Sequence, residues 1–433
     1  MQTGTKAKGY RYSRNASGKM SKQNSKAKNL KNEREKAARF RRRVWAFAQT
    51  VARPWINSKF NFSVAGFDPA TIDGPILVAV NHSCAYDPIF VGTAFKNKML
   101  TFIASEHILR MRPCGPILDR CFSIIPHQKG AKGSRTALIA MKRIKRGESV
   151  FLAVEGEQTW DGLSLPVMPY TGKMVKGSGA TLVTYMIEGG YLSLPRWASN
   201  VRKGKVYGHP VNVYSPDSLK EMSDEEVEAA IAKDLWLDAW EWQRSRPDGP
   251  MHFVPAKGGS ADGLDRAVFT CPSCGSFGTL KAEGDTIGCE CGFKLRLSDT
   301  GFFDPAEPFE TVADWMQHDR AVLKEKMERL DEKSLTGDQT VFTDSDITLT
   351  KIGEAHEEEW SEKGDLSLIY RDGAFVLCAS GHEFSLDGIS AMTMVLAARI
   401  VFGDKSGYYE IRAGKGSKIN LRKYVIARDL MKE

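Results

Sequence analysis

Between residues 60 and 215, short apolar runs alternate with stretches of helical periodicity, and this alternation restricts the fold more than any other feature of the chain. PILVAV (75–80), LTFIAS (100–105), SVFLAV (149–154) and TLVTYMI (181–187) are short and almost continuously apolar. Runs of this kind are strands buried on both faces. Asp87 and Pro88 stand at the entry of a helix that begins after the first run. Over 134–146, Ala137, Leu138, Met141 and Ile144 share one helical face, and Gly147 follows as a stop. Ser223 and Glu226 form a capping box that opens a helix to about residue 243. Alternating strands and helices predict an α/β class, a sheet layered with helices.

The rest of the chain divides by composition. Its 433 residues exceed one ordinary core, and 42% hydrophobic with 26% charged residues is a globular balance. No run approaches the ~18 apolar residues of a spanning helix, and the first forty residues lack the apolar core of a signal peptide. The expected location is cytoplasmic, peripherally associated with the inner face of the membrane. Residues 1–43 hold fifteen Lys or Arg against two acids, a net +13, which leaves −5 for the remainder. So polar a tail predicts disorder. Residues 44–55 read as a short amphipathic helix, with Trp45, Phe47 and Trp55 as candidate interface anchors; an ordinary first helix packed on the domain is the other reading. Tail and helix together suit an anionic membrane surface, each nearby cation contributing about 1 kcal/mol. The same charge would attract a nucleic acid. Residues 44–245 form the α/β domain, 246–263 a Pro/Gly-rich linker, 264–300 a cysteine-bearing unit and 301–335 a helical connector. From 336 to 433 the period changes to two, predicting a β-rich domain with a closing helix that resembles a pleckstrin-homology domain.

The segment NHSCAYD places His82 just past a strand and Asp87 just inside the next helix. Reacting ligands sit at this carboxyl end of the strands in open α/β sheets. A carboxylate on one ring nitrogen fixes the tautomer and leaves the other nitrogen to take a proton. Glu155 and Gly156 follow another strand and fall at the same edge, where glycine lets a ligand approach the backbone. A turn at Asn81–His82, a helix cap at Asp87 and a solvated Glu155 are the bland readings of the same residues.

Jointly, these blocks resemble the lysophospholipid acyltransferase family, which includes the 1-acylglycerol-3-phosphate acyltransferases. That family carries an N-H-x4-D block, a Pro/Arg block and an E-G block in order. His82 and Asp87 match the first, SIIPHQKGAKG (123–133) stands where the second belongs, and Glu155–Gly156 match the third. Residues 171–197 resemble a bacterial branch of the family. The likeness spans about residues 55–210 and implies an acyltransferase-type mixed sheet. It implies that His82, oriented by Asp87, deprotonates a lyso-lipid hydroxyl, which attacks the thioester of acyl-CoA or an acyl-carrier protein. Cys84 needs no nucleophilic role in that scheme. Glu155, Gly156, His127, Lys129 and Lys173 are the candidate substrate contacts. His127 replaces an arginine of the second block, and Glu157–Gln158 replace Thr-Arg of the third. Neither His nor Gln offers the permanent bidentate charge of a guanidinium. Lys129, Lys132, Lys173 and Lys176 are candidates to supply it as point charges, and a less acidic acceptor is the other solution. A non-catalytic lipid- or nucleic-acid-binding adaptor on a degenerate acyltransferase fold is the alternative function.

Cys271 and Cys274, then Cys289 and Cys291, form two knuckles, each followed by glycine at 275 and 292. Four thiolates at this spacing predict a zinc ribbon whose closed site makes the ion structural.

Overall fold

The computed structural model describes residues 14–110, 113–127, 134–332, 337–353 and 357–433, so Lys129 and Lys132 lie outside the described residues. Helix α1 (Arg14–Phe60) precedes β1 (Phe62–Val64), β2 (Ile76–Val80), α2 (Asp87–Ala94), β3 (Leu100–Ser105), α3 (Glu106–Arg110) and α4 (Cys114–Phe122). Next come β4 (Ile125–His127), α5 (Ser134–Ile144), β5 (Ser149–Ala153), α6 (Thr171–Ser178), β6 (Thr181–Glu188) and α7 (Gly190–Ser193). The unit ends with β7 (Arg202–Lys203), β8 (Val206–Tyr214), α8 (Pro216–Glu221), α9 (Asp224–Leu235) and α10 (Ala239–Arg244).

The first sheet has the order β1-β8-β6-β2-β5-β3-β4. β2 pairs in parallel with β5 and β6, β3 with β5 and β4, while β8 runs antiparallel to β6. The sheet is therefore mixed, with β2 at its centre. Alternate β2 residues enter opposite cores, as strand geometry requires. Ile76, Val78 and Val80 join one cluster with Trp45, Phe60 and Phe90, and Leu77 and Ala79 join another with Ala140, Val175 and Ile231. The parallel pairings bring the carboxyl ends of β2, β3, β4 and β5 to one edge. The helix predicted from Ser223 to about residue 243 is broken: α9 stops at Leu235, and Asp238 caps α10 by accepting from the backbone of Trp240 and Glu241.

Beyond residue 245, β9 (Val254–Pro255) pairs with β7. The cysteine unit is a four-stranded antiparallel sheet of β10 (Leu280–Glu283), β11 (Thr286–Cys289), β12 (Lys294–Leu297) and β13 (Phe303–Asp304). α11 (Val312–Glu332) leads into β14 (Gln339–Ile352), β15 (Glu358–Arg371), β16 (Ala374–Ala379), β17 (His382–Ser385), β18 (Ala391–Val395), β19 (Arg399–Asp404) and β20 (Gly407–Ala413). These seven form an antiparallel sheet ordered β17-β16-β15-β14-β20-β19-β18, followed by α12 (Arg422–Leu430).

Three further readings of the chain change. The helix begins at Arg14 and runs through the segment predicted as disordered. Its Ala, Lys, Arg, Gln and Glu are strong helix formers, and its later turns are anchored by buried Trp45, Ile56 and Phe60. Trp45, expected as an interface anchor, is buried, and its indole donates to the Lys96 carbonyl at 3.1 Å. Residues 246–263 are packed rather than a spacer, because Phe253 and Ala261 are buried in a core that runs from Trp160 and Trp197 through Phe269 and Trp315 to Leu366 and Phe402. Among the described residues, no helix is long and apolar enough to cross a membrane.

Candidate active site and cysteine cluster

β2 ends at Val80, and the chain turns through residues 81–86 before Pro88 starts α2 with a preset backbone angle. The turn is held at both ends. Asn81 donates to the Ile187 carbonyl at 2.9 Å and accepts from the Ile187 N–H at 2.8 Å, tying it to β6. Asp87 is fully buried at the helix entry and collects donors from the turn. The Ser83 hydroxyl donates to its Oδ1 at 2.8 Å, and the Cys84 N–H to its Oδ2 at 3.0 Å. His82 Nδ1 lies 2.9 Å from the same Oδ2. With Nδ1 engaged, Nε2 is the nitrogen left for a substrate, and it makes no hydrogen bond to a described residue. The His82 side chain is 18% exposed against 0% for Asp87, so the ring is the open end of the pair.

Glu155 joins the pair through the backbone. Its Oε1 accepts the His82 N–H at 2.8 Å and its Oε2 the Leu165 N–H at 2.8 Å. Burial pushes its carboxyl up to about 7, with the two backbone donors opposing that rise. Both oxygens are spent on the fold, so Glu155 holds the site together. Thr159 closes the far side, its N–H donating to the His82 carbonyl at 3.1 Å. Gly156 has φ +69°, and a Cβ there would fall 2.5 Å from Met168 Sδ. A turn and a close side chain each require glycine here.

The remaining sequence candidates are dispersed. His127 ends β4, paired in register with Ser105, and its Nδ1 stands 3.4 Å from the Thr136 hydroxyl. Lys173 is exposed on α6. Lys176 is committed to the Met222 carbonyl and to Asp224. Lys129 is outside the described residues. Cys84 is buried beside Asp87, and burial, followed by that carboxylate, holds its thiol well above the usual range. Sequence reasoning missed the Asn81 clamp and the Ser83 donor. It also missed Arg196, whose guanidinium meets Glu157 Oε1 at 2.5 Å, the Gln158 carbonyl at 3.1 Å and the Met394 carbonyl at 2.8 Å. Partners 39 and 198 positions away leave no local signal.

The four cysteines converge. Their sulfurs lie within 4.8 Å of one another, with Cys271–Cys291 at 3.7 Å and Cys274–Cys289 at 3.8 Å. Gly275 and Gly292, at φ +69° and +98°, turn each knuckle. The Thr279 hydroxyl lies 3.1 Å from the Cys289 sulfur and the Ser276 hydroxyl 3.3 Å from that of Cys274. The group can hold one metal ion.

Residues 61–188, which contain His82, Asp87 and Glu155, match the Acyltransferase family model. Among solved structures, the 1-acyl-sn-glycerophosphate (LPA) acyltransferase PlsC from Thermotoga maritima is similar at 19% identity, covering 45% of this chain and 77% of that one, with a TM-score of 0.39. Comparison with curated proteins gives no match.

Proposed function

We propose that this chain, which carries an acyltransferase-family domain over residues 61–188, is an enzyme that transfers a fatty acyl group from a thioester, acyl-CoA or an acyl-carrier protein, to a free hydroxyl of a lysophospholipid or related lipid. The observation that carries this reading is the 2.9 Å contact between His82 Nδ1 and buried Asp87, which leaves Nε2 open.

In this mechanism Nε2 takes the proton of the acceptor hydroxyl while that oxygen attacks the thioester carbonyl. Asp87 orients the ring and stabilises the imidazolium. The tetrahedral intermediate collapses, the carbon–sulfur bond breaks, and the departing thiolate takes the proton from Nε2 and leaves as the thiol. The ester is formed with no acyl-enzyme, and the raised thiol of Cys84 fits a structural place beside the pair. The lipid would come from a membrane surface. Phe47, Val51 and Trp55 are exposed along one side of α1, among Arg and Lys residues that suit anionic headgroups. The Trp55 and Tyr86 rings lie 5.7 Å apart, so this stripe adjoins the His82 turn.

The four thiols hold a structural zinc ion in this reading. A zinc–sulfur bond of about 2.3 Å implies sulfur–sulfur edges of about 3.8 Å in a tetrahedron, and the observed 3.7 and 3.8 Å fit that size. Four sulfurs leave no open position, so the ion would brace the fold and take no part in acyl transfer.

The deciding measurement is thiol release from acyl-CoA with a panel of lyso-lipid acceptors. His82→Ala is expected to lower turnover by ~10²–10⁴ with an unchanged melting temperature, and Asp87→Asn to follow it. Wild-type turnover in folded His82→Ala would remove the enzymatic assignment. Salt-sensitive RNA binding without turnover by the native protein would favour the adaptor, which the basic N-terminus and the missing block arginines motivate.

A further inference from the structure

We propose that Arg399 and Arg412, carried by the C-terminal sheet, bind the phosphate of the acceptor lipid in place of the arginines that the acyltransferase blocks lack; this rests on the acyl-transfer reading above.

Thr393, Val401 and Glu410 are cross-strand partners on β18, β19 and β20, and Val395, Arg399 and Arg412 form the adjacent row two residues along. Cross-strand partners share a face, as do residues two apart. The opposite face carries Met392, Met394, Ile400, Phe402 and Ile411 into the apolar core. The first face should therefore be solvated, yet Val401 and Glu410 are buried. The acyltransferase domain covers them. Thr393 donates to Glu157 Oε2 at 3.0 Å, and Glu410 Oε2 lies 3.7 Å from His107 Nδ1.

Both contacts fall at the carboxyl edge of the catalytic sheet. Glu157 follows β5 and sits two residues before Thr159, which binds the His82 backbone. His107 follows β3. Since β3 and β2 flank β5, the Glu410 contact is displaced from the His82 strand by two strand spacings, roughly 10 Å. A glycerol phosphate headgroup and an extended guanidinium side chain together bridge such a gap.

The charge there is cationic. Arg399 Nη1 and Arg412 Nη2 both reach Glu410 Oε1, at 3.3 and 2.9 Å. One carboxylate between two guanidiniums leaves a net positive charge, and ten N–H donors far exceed the two used there. The Arg412 side chain is 53% exposed and that of Arg399 34%, while Glu410 is 5% exposed. The anion-binding groups are thus the reachable ones. By contrast, Arg196 is spent on Glu157 and two carbonyls.

The test compares lysophosphatidate with uncharged monoacylglycerol as acceptors for the full chain. For Arg399→Gln/Arg412→Gln, the preference in kcat/KM for lysophosphatidate over monoacylglycerol should fall roughly 10-fold or more, chiefly through KM, with partial recovery in the Arg→Lys pair. Arg412→Gln alone, the more exposed site, should show the same direction and serves if the double variant melts early. An unchanged preference, or a loss in kcat alone, overturns the proposal while acyl transfer stands. A native protein that acylates only lyso-lipids without a phosphate also overturns it, and one with no thioester turnover overturns both readings.

Discussion

At the scale of the residue, Glu155 makes the sharpest prediction. A buried carboxyl whose pKa rises from 4.5 to about 7 keeps its proton in the fold where the unfolded chain has lost it. Its contribution is therefore fully present below pH 4.5 and is lost as pH rises to about 7, a difference of about 3 kcal/mol. Glu155→Gln should flatten this part of the stability–pH profile. It should also destabilise by about 1–3 kcal/mol, because an amide NH₂ replaces one of two acceptors facing backbone donors. Chemical denaturation at pH 5 and pH 7.5 reads both effects, and an unaltered profile would show that Glu155 is not the titrating group. The position of Glu155 at a strand's carboxyl end was legible in the sequence, as was the His82–Asp87 pair. Its work was not. Spacing shows which edge a residue reaches, whereas its hydrogen bonds depend on which backbone donors that edge leaves unpaired.

At the scale of the element, the cysteine unit was the most legible part of the chain, since two knuckles each closed by a glycine define their own turns. The helices were harder to bound. Lys, Arg and Ala in the N-terminal segment satisfy both a disordered tail and a helix, and the buried Trp45 that settles the matter for its later turns meets partners 51 positions away. α11 is bound to the knuckles by Asp319, which accepts the Phe269 and Thr270 N–H groups, each at 2.9 Å. The cysteine cluster is therefore tied to more than its own four strands. Cys274→Ser should reduce bound zinc from one ion per chain to a small fraction, measured by emission spectroscopy. It should also lower stability by ~3 kcal/mol or more, since metal binding free energy is folding free energy in such units. A folded native protein without stoichiometric metal would refute the zinc assignment.

At the scale of the whole molecule, the composition shifts that divide the sequence do not divide the core. Apolar side chains from Trp160 in the α/β domain to Tyr424 in the last helix form one cluster, and the Pro/Gly-rich stretch between the parts adds Phe253 to it. A sequence displays linkers through composition, but it cannot show that two faces close on each other. Over that shared core lies a polar seam where Glu157 joins Arg196 and Thr393. The Arg196 side chain is 3% exposed and that of Glu157 30%, so Glu157→Ala leaves a nearly buried guanidinium with two carbonyls and the face of Trp160 but no counter-charge in contact. The expected loss is about 1–3 kcal/mol, below that of a fully buried pair because water reaches the carboxylate. If the parts behave as one cooperative body, the native chain should unfold in a single calorimetric transition that Glu157→Ala moves downward as a whole. Two resolved transitions, with only one displaced, would mean that the C-terminal sheet folds independently. Its arginines would then be attached to the catalytic edge too loosely to select an acceptor.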